Sequence, residues 1–531
     1  MDRRRAIVVA LVLLSALFLA SVPFLYGYAV EPEGTRFWAV PVVNSFDANQ
    51  YLAFTRIVAD GSLLVGDPFT SEPHQPRLLL PQVWFQALVM RLTGSTPQEA
   101  FQVSRVLSGA ALLLAGCWLG FLLLPRWRLR WLFLALLCFS TGASWYLELL
   151  GYRIPNGDLV QPEGNTFFSL ANLPHVALAS ALLTALFALL LEYERSGEAR
   201  WLWITVGVSL LLSWTHPFDY VPLGMGVLAY GALRWWWSRE IPVRVIVQGG
   251  AAVLGALPAA LYLGWLVSTD PIYKQLANDV LQVNPFRFYL IAHVLLVVPA
   301  LAVLLQPEAR RRYALPLCWV VCAFLFLFTP FRLGGKQPRV VGGIHVPLAI
   351  LAAAGADLTA RWLAQRVAPG KSRRVVLALD GIYAVGACAG VIGMVQRQVA
   401  EYARREPDFF QTPGIQQAFS TLDRLGDRSQ VTLGGEYTAG WAPTWADTRV
   451  YHGHWHMTLR EPEKRAERNW FFTAPAPPEQ RAKWLRQRGI DWVVWWPPEW
   501  QGWAVPLDHV PGLQPVYRGP DVVLYHFEPS A

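Results

Sequence analysis

The chain has 531 residues, of which 54% are hydrophobic and only 15% charged, with a mean hydropathy of +0.31. That is too apolar for a water-soluble chain of this length and points to a membrane protein. The formal charge of +8 sits largely on arginines between apolar runs, where membrane topology puts them, so the basic balance is no argument for nucleic-acid binding, which is not expected.

The first apolar run, residues 6–30, follows Arg3, Arg4 and Arg5 and is too long for the core of a signal peptide, so it reads as an anchor. Further runs of spanning length fall near 101–124, 131–150, 175–192, 201–220, 221–234, 245–267, 288–306, 314–330, 343–360 and 375–396. The expected fold is therefore a polytopic α-helical membrane protein with about eleven transmembrane helices. Placing the N-terminus in the cytoplasm makes every second connection cytoplasmic. Those connections are the basic ones, carrying Arg126, Arg128 and Arg130, then Arg195 and Arg200, Arg234, Arg239 and Arg244, Arg310–Arg312, and the stretch from Arg361 to Arg374. An odd number of spans puts the tail outside the cytoplasm, in the plasma membrane of a prokaryote on this reading. The expected division is a membrane domain over 1–396, with a first outer loop at 31–99, and an extracytoplasmic α/β domain over 397–531.

Within that first outer loop, "NSFDANQYLAF" (44–54) opens a helix that Ser45 is expected to cap and that runs to about Asp60, with Gly61 ending it. Asp47, Tyr51, Phe54 and Val58 then share one stripe, while Asn49, Arg56 and Asp60 take the opposite, polar side. The helix dipole favours an anion at Asp47 and burial opposes it, a balance typical of carboxylates used for chemistry. Residues 76–94 read as an interfacial helix with Trp84 and Arg91 at headgroup level. In the tail, 430–435, 448–456, 490–496 and 521–527 read as strands and 413–426 and 478–488 as helices. "YHGHWHM" (451–457) would place His452, His454 and His456 on one strand face. All five cysteines lie in apolar runs, so the tail is disulfide-free.

The order of one N-terminal span, "FDANQYLAFTRIVADGSL" (46–63), "EPHQPRLLLPQVWFQAL" (72–88) and "LTGSTPQEAFQVSRVLSGA" (92–110) resembles the type-C glycosyltransferases, polytopic enzymes that use polyprenyl-phosphate sugars and include protein O-mannosyltransferases and lipid A aminoarabinose transferases. The resemblance covers about the first 110 residues. It implies a catalytic role for Asp47; members often show an adjacent acidic pair, where this chain has Ala48.

Near the outer end of a later span, "FRLGGKQPRVVGGIHVP" (331–347) offers Arg332, Lys336 and Arg339 as a clamp for the phosphate of a lipid-linked donor. Tyr51, Glu72, His74, Glu163, His216, Asp219 and His345 are further candidate site residues. The expected activity is transfer of a sugar from a polyprenyl-phosphate donor to a cell-envelope acceptor, a glycan, lipid or protein, with inversion. A phosphate leaving group is a weak base, so one carboxylate suffices. No cofactor is required on this reading, and a divalent metal, were one used, would take Asp47 as its ligand. A transporter or lipid flippase is the alternative, as is a non-catalytic scaffold that binds envelope polymer.

Overall fold

A computed structural model describes residues 2–152, 157–278, 281–329, 337–367, 372–500 and 503–528. Each of the eleven apolar runs is mainly helical there, the conformation that satisfies backbone groups within the segment. By length and composition seven helices suffice to cross a bilayer: Arg3–Ala29, Pro97–Leu123, Pro174–Ser196, Val243–Thr269, Phe286–Leu304, His345–Val367 and the stretch Ser372–Ala403. The other four runs give Trp127–Phe139, Ala199–Thr215, Tyr220–Ser238 and Ala314–Leu327. The run at 131–150 is two pieces, because the chain leaves the helix in extended backbone at Ser140 and re-enters only at Ser144–Leu149.

The chain divides into two compact units. The first holds residues 1–23, 104–265 and 280–399, and the second holds 24–103, 266–279 and 400–531. Residues 31–99, grouped by sequence with the membrane domain, thus belong by their contacts with the tail.

In the first unit, helices Phe286–Leu304 and His345–Val367 cross so closely that a Cβ at Gly355 would lie 1.9 Å from the Pro299 carbonyl oxygen. Pro299 has no N–H to give to Leu295, and Tyr383 Oη donates to that orphaned carbonyl at 2.9 Å. Two charged side chains inside this unit's helices have their partners in place. Arg105 donates to Leu170 O at 2.6 Å and Ser21 Oγ at 2.9 Å, and Asp357 contacts both Arg128 and Arg361.

The second unit is built on a five-stranded sheet. Its strands, numbered after β1 (Arg36–Phe37) and β2 (Phe410–Gln411), are β3 (Val431–Leu433), β4 (Arg449–Val450), β5 (Trp492–Trp495), β6 (Leu513–Arg518) and β7 (Val523–Phe527), in the order β4-β3-β5-β7-β6. β3 pairs in parallel with β4 and β5, as helical crossovers require, and β5, β7 and β6 are antiparallel. Helices Pro413–Leu425 and Pro478–Arg488 fall where the sequence places them; β6 and helices Glu436–Trp445 and Glu461–Thr473 are additional. Val431, Leu433, Tyr451, Phe471, Phe472, Leu485, Val493 and Tyr525 form the core of this sheet.

The early segment joins the tail by an antiparallel pairing of β1 with β2, in which Arg36 faces Gln411 and Phe37 faces Phe410. The buried Tyr402 Oη also donates to Val40 O at 2.7 Å. Residues 266–279 join through Arg77 Nη1 to Asp270 Oδ2 at 3.2 Å and Tyr273 Oη to Gln75 O at 2.9 Å.

Candidate active site around Asp47

Helix Ser45–Ala59 forms as its periodicity predicts, but its N-cap is Asn44 in the left-handed region (φ 69°), so Ser45 is the first helical residue and not the cap. Asp47 lies in the first turn, where the unpaired N–H groups and the dipole favour its negative charge. Its side chain is 22% exposed. Tyr51 follows one turn later, its ring edge-on to Phe54 at 6.3 Å.

Asn49, expected on a polar face, is buried and accepts a hydrogen bond from the Trp38 indole N–H. The helix has a protein partner on that side too. At the far end, Arg91 donates from Nε to Ala59 O at 2.9 Å and from Nη2 to Val58 O at 3.2 Å, satisfying last-turn carbonyls. Trp84 Nε1 donates to Leu63 O at 2.9 Å. The polar atoms of Arg91 therefore hold the preceding helix in place, and those of Trp84 the loop that follows it. Arg56 adds a third restraint through Thr444 O at 3.3 Å and the Asp423 carboxylate.

The histidine-rich segment is not a strand. The β4 ladder ends at Val450 and His452 adds a single antiparallel bridge to Thr70; the chain then turns away as the Thr458 hydroxyl takes the backbone N–H groups of Gly453 and His454, each at 3.2 Å, and donates to Phe69 O at 2.8 Å. The three histidines go to different places. His452 Nδ1 accepts from Arg468 at 3.0 Å, its Nε2 lies 3.2 Å from Glu461, and burial together with Arg468, Arg465 and Lys464 pushes its pKa down to about 3. His454 is buried with Nε2 3.2 Å from Asp47 Oδ1. His456 contributes a backbone N–H to His454 Nδ1 at 3.1 Å. Among the described residues no group of three or more His, Cys, Asp or Glu is arranged to hold a metal ion.

Glu72 and His74 build the support beneath this turn. Glu72 accepts from the buried Lys464 ammonium at 2.6 Å, from Arg460 at 3.2 Å and from the Thr70 hydroxyl. Burial alone would raise the Glu72 carboxyl, but the Lys464 and Thr70 bonds outweigh it and hold it at about 2. His74 Nδ1 donates to Glu72 O and its Nε2 accepts from Asp67 N, both at 2.8 Å.

In the first unit, Arg339 Nη1 lies 3.3 Å from Glu163 Oε1, and His216 Nδ1 lies 3.0 Å from Asp219 Oδ1. His345 is buried between Ser140 Oγ at 3.0 Å and Thr166 Oγ1 at 2.9 Å, a position that locks the start of helix His345–Val367. Arg332 and Lys336 lie outside the described residues.

No family model and no curated protein sequence matches the chain. Solved structures do match. ArnT from Cupriavidus metallidurans bound to undecaprenyl phosphate aligns with a TM-score of 0.55 at 12% identity over 99% of this chain and 98% of that one. The archaeal oligosaccharyltransferase AglB from Archaeoglobus fulgidus, in complex with an inhibitory peptide and a dolichol-phosphate, aligns with a TM-score of 0.53 at 11% identity over 93% of this chain and 70% of that one. The chain has the type-C glycosyltransferase fold. At these identities it is the fold that is shared, and with it a membrane-embedded character.

Sequence reasoning did not find Asp67, two residues from Phe69 and walled into the same support. It is buried, accepts from Phe69 N at 2.9 Å through Oδ1, and lines a cavity of about 310 Å³ with His74, Arg428 and Arg449. Burial pushes its pKa from 3.8 up to about 8, against the opposing pull of Phe69 N–H and Lys464. The folded chain holds this proton more tightly than the unfolded chain, so the stability it contributes is full below 3.8 and is lost as pH rises toward about 8. Asp67→Asn keeps the acceptor oxygen without the charge. Its unfolding midpoint in detergent is expected to match the wild type near pH 4 and to exceed it increasingly toward pH 8; a difference that does not grow with pH contradicts this placement.

Proposed function

We propose that the chain is an inverting glycosyltransferase that moves a sugar from a polyprenyl-phosphate donor to a cell-envelope acceptor on the outer side of the plasma membrane. The N-terminus would be cytoplasmic and the tail extracytoplasmic, in keeping with the alternation of basic connections. The type-C fold supports the reaction class, and solved proteins of this fold were captured with dolichol-phosphate and with undecaprenyl phosphate. The observation that carries the reading is Asp47, a partly exposed carboxylate in the first turn of a helix restrained at both ends.

In the proposed step the acceptor hydroxyl gives its proton to the Asp47 carboxylate as its oxygen bonds to the anomeric carbon. The bond from that carbon to the phosphate oxygen breaks on the opposite side. The leaving polyprenyl phosphate takes the electron pair, and because it is a weak base no general acid is needed. A single displacement at an oxocarbenium-like centre inverts the anomeric configuration, by the logic that distinguishes one-step from two-step glycoside chemistry. In the first unit, Arg339 is our candidate for binding the donor phosphate, with Glu163 holding the guanidinium until the anion arrives. Arg105 and Asp357 in that unit have their partners in place, Arg105 on Leu170 O and Ser21 Oγ and Asp357 on Arg128 and Arg361, as a structural role requires, which weighs against a transport pathway.

Asp47→Asn should leave the protein inserted and folded while lowering turnover by about 10²–10⁴, the usual worth of a positioned general base. Asp60→Asn, on the same helix, removes only an exposed pair with Arg56 at 3.4 Å and Arg428 at 3.6 Å and should be nearly silent. Wild-type turnover in purified Asp47→Asn, assayed with polyprenyl-phosphate sugars, contradicts the reading. Arg339→Ala should raise the donor KM about ten- to a hundredfold, as loss of a charge-assisted contact does, with the acceptor KM unchanged; the reverse pattern would remove Arg339 from the donor site.

A further inference from the structure

We infer that His454 is a positioning residue for Asp47, a buried N–H donor that fixes the orientation of the carboxylate as it takes the acceptor proton. The inference rests on the reading of Asp47 as the base. Its starting point is the turn that carries His454. Nδ1 of the ring accepts two backbone hydrogen bonds, from His456 N at 3.1 Å and from Met457 N at 3.2 Å. An atom that accepts two N–H bonds has no room for a proton, so the ring's own N–H is at Nε2. Nε2 stands 3.2 Å from Asp47 Oδ1 and has no aligned hydrogen-bond partner among the described residues.

Leaving that donor unmade in a buried place is costly, and the structure keeps it all the same. The turn is tied down and the ring is packed by two neighbours. Thr458 ties the turn to Phe69 O at 2.8 Å, the Phe69 ring packs on the imidazole at 5.6 Å between centroids, and the half-exposed Trp455 lies over it at 5.9 Å with the planes within 22°. Of the two groups the carboxylate is the one that solvent and an acceptor reach, since the ring is buried. A short rotation of Asp47 aligns the contact, the kind of tightening expected when substrates fill a site. Once aligned, the N–H sets the torsion of the carboxylate, so the proton-accepting oxygen meets each acceptor hydroxyl at the same angle.

Two substitutions separate this role from a structural one. His454→Asn places an oxygen where Nδ1 was, keeping the acceptor for the turn, and removes the N–H aimed at Asp47. His454→Gln places an N–H where Nε2 was and loses the acceptor for the turn. In purified full-length protein assayed with a polyprenyl-phosphate sugar, His454→Asn should unfold near the wild-type midpoint, yet turn over about ten- to a hundredfold more slowly with both KM values within about twofold. His454→Gln should unfold earlier yet keep turnover within a few-fold. If turnover follows the midpoint instead, with His454→Gln slower than His454→Asn, His454 is structural only and the inference is overturned. Wild-type turnover in Asp47→Asn sinks the base itself; an inactive Asp47→Asn beside a fully active His454→Asn sinks only the positioning role.

Discussion

The second unit depends on holding one partly wet carboxylate at the start of a helix whose Asn49, Thr55 and Arg56 are gripped by other segments. Asp47 is 22% exposed, while Asn49, one residue beyond its neighbour Ala48, is sealed under the Trp38 indole. Helix Ser45–Ala59 cannot slide or turn to trade one for the other. Asn49 is fixed near its start, Arg56 reaches Thr444 near its end, and Arg91 closes its last carbonyls. A helix so restrained delivers a side chain to one place, which is what a positioned base needs and what local helix stability alone does not require.

The same need explains why a segment of the early chain and the tail form one compact unit. The pairing of β1 with β2 and the Tyr402 bond to Val40 anchor the chain entering the Asp47 helix. Beyond that helix, Thr458 grips Phe69 and Lys464 grips Glu72, so the turn bearing His454 rests on residues 69–72. The Lys464 pair joins a buried ammonium to a half-buried carboxylate. Breaking one side would strand the other charge, and for that reason such pairs hold geometry better than they add stability. In the first unit the governing constraint is different. There the backbone must satisfy itself without water, and the Tyr383 hydroxyl stands in for the N–H that Pro299 lacks.

What was legible in the sequence follows from which forces act locally. Apolar length located the helical runs, seven of which are long and apolar enough to span, and the 3.6-residue period gave the helix around Asp47. The position of Asn49 was misread because its partner, Trp38, lies on a separate segment before the helix, and periodicity counts polarity without knowing who satisfies it. The alternation of His452, His454 and His456 imitates a strand face, yet after one bridge from His452 to Thr70 the Thr458 hydroxyl takes the N–H groups of Gly453 and His454 and diverts the backbone. β6 was missed because Pro515 sits in it next to an irregular register, a composition that argues against a strand. The contact of His454 with Asp47 was out of reach for a plainer reason. It joins residues from opposite ends of the chain, and only the fold brings them together.

The account stands on a single displacement driven by one carboxylate. The most direct measurement is the anomeric configuration of the product, read by nuclear magnetic resonance after the purified protein in lipid nanodiscs transfers a sugar from a polyprenyl-phosphate donor of known configuration. The account predicts inversion, with one polyprenyl phosphate released for each sugar transferred. Retention would require a second, nucleophilic carboxylate and a covalent glycosyl intermediate, and would contradict Asp47 acting as the sole base.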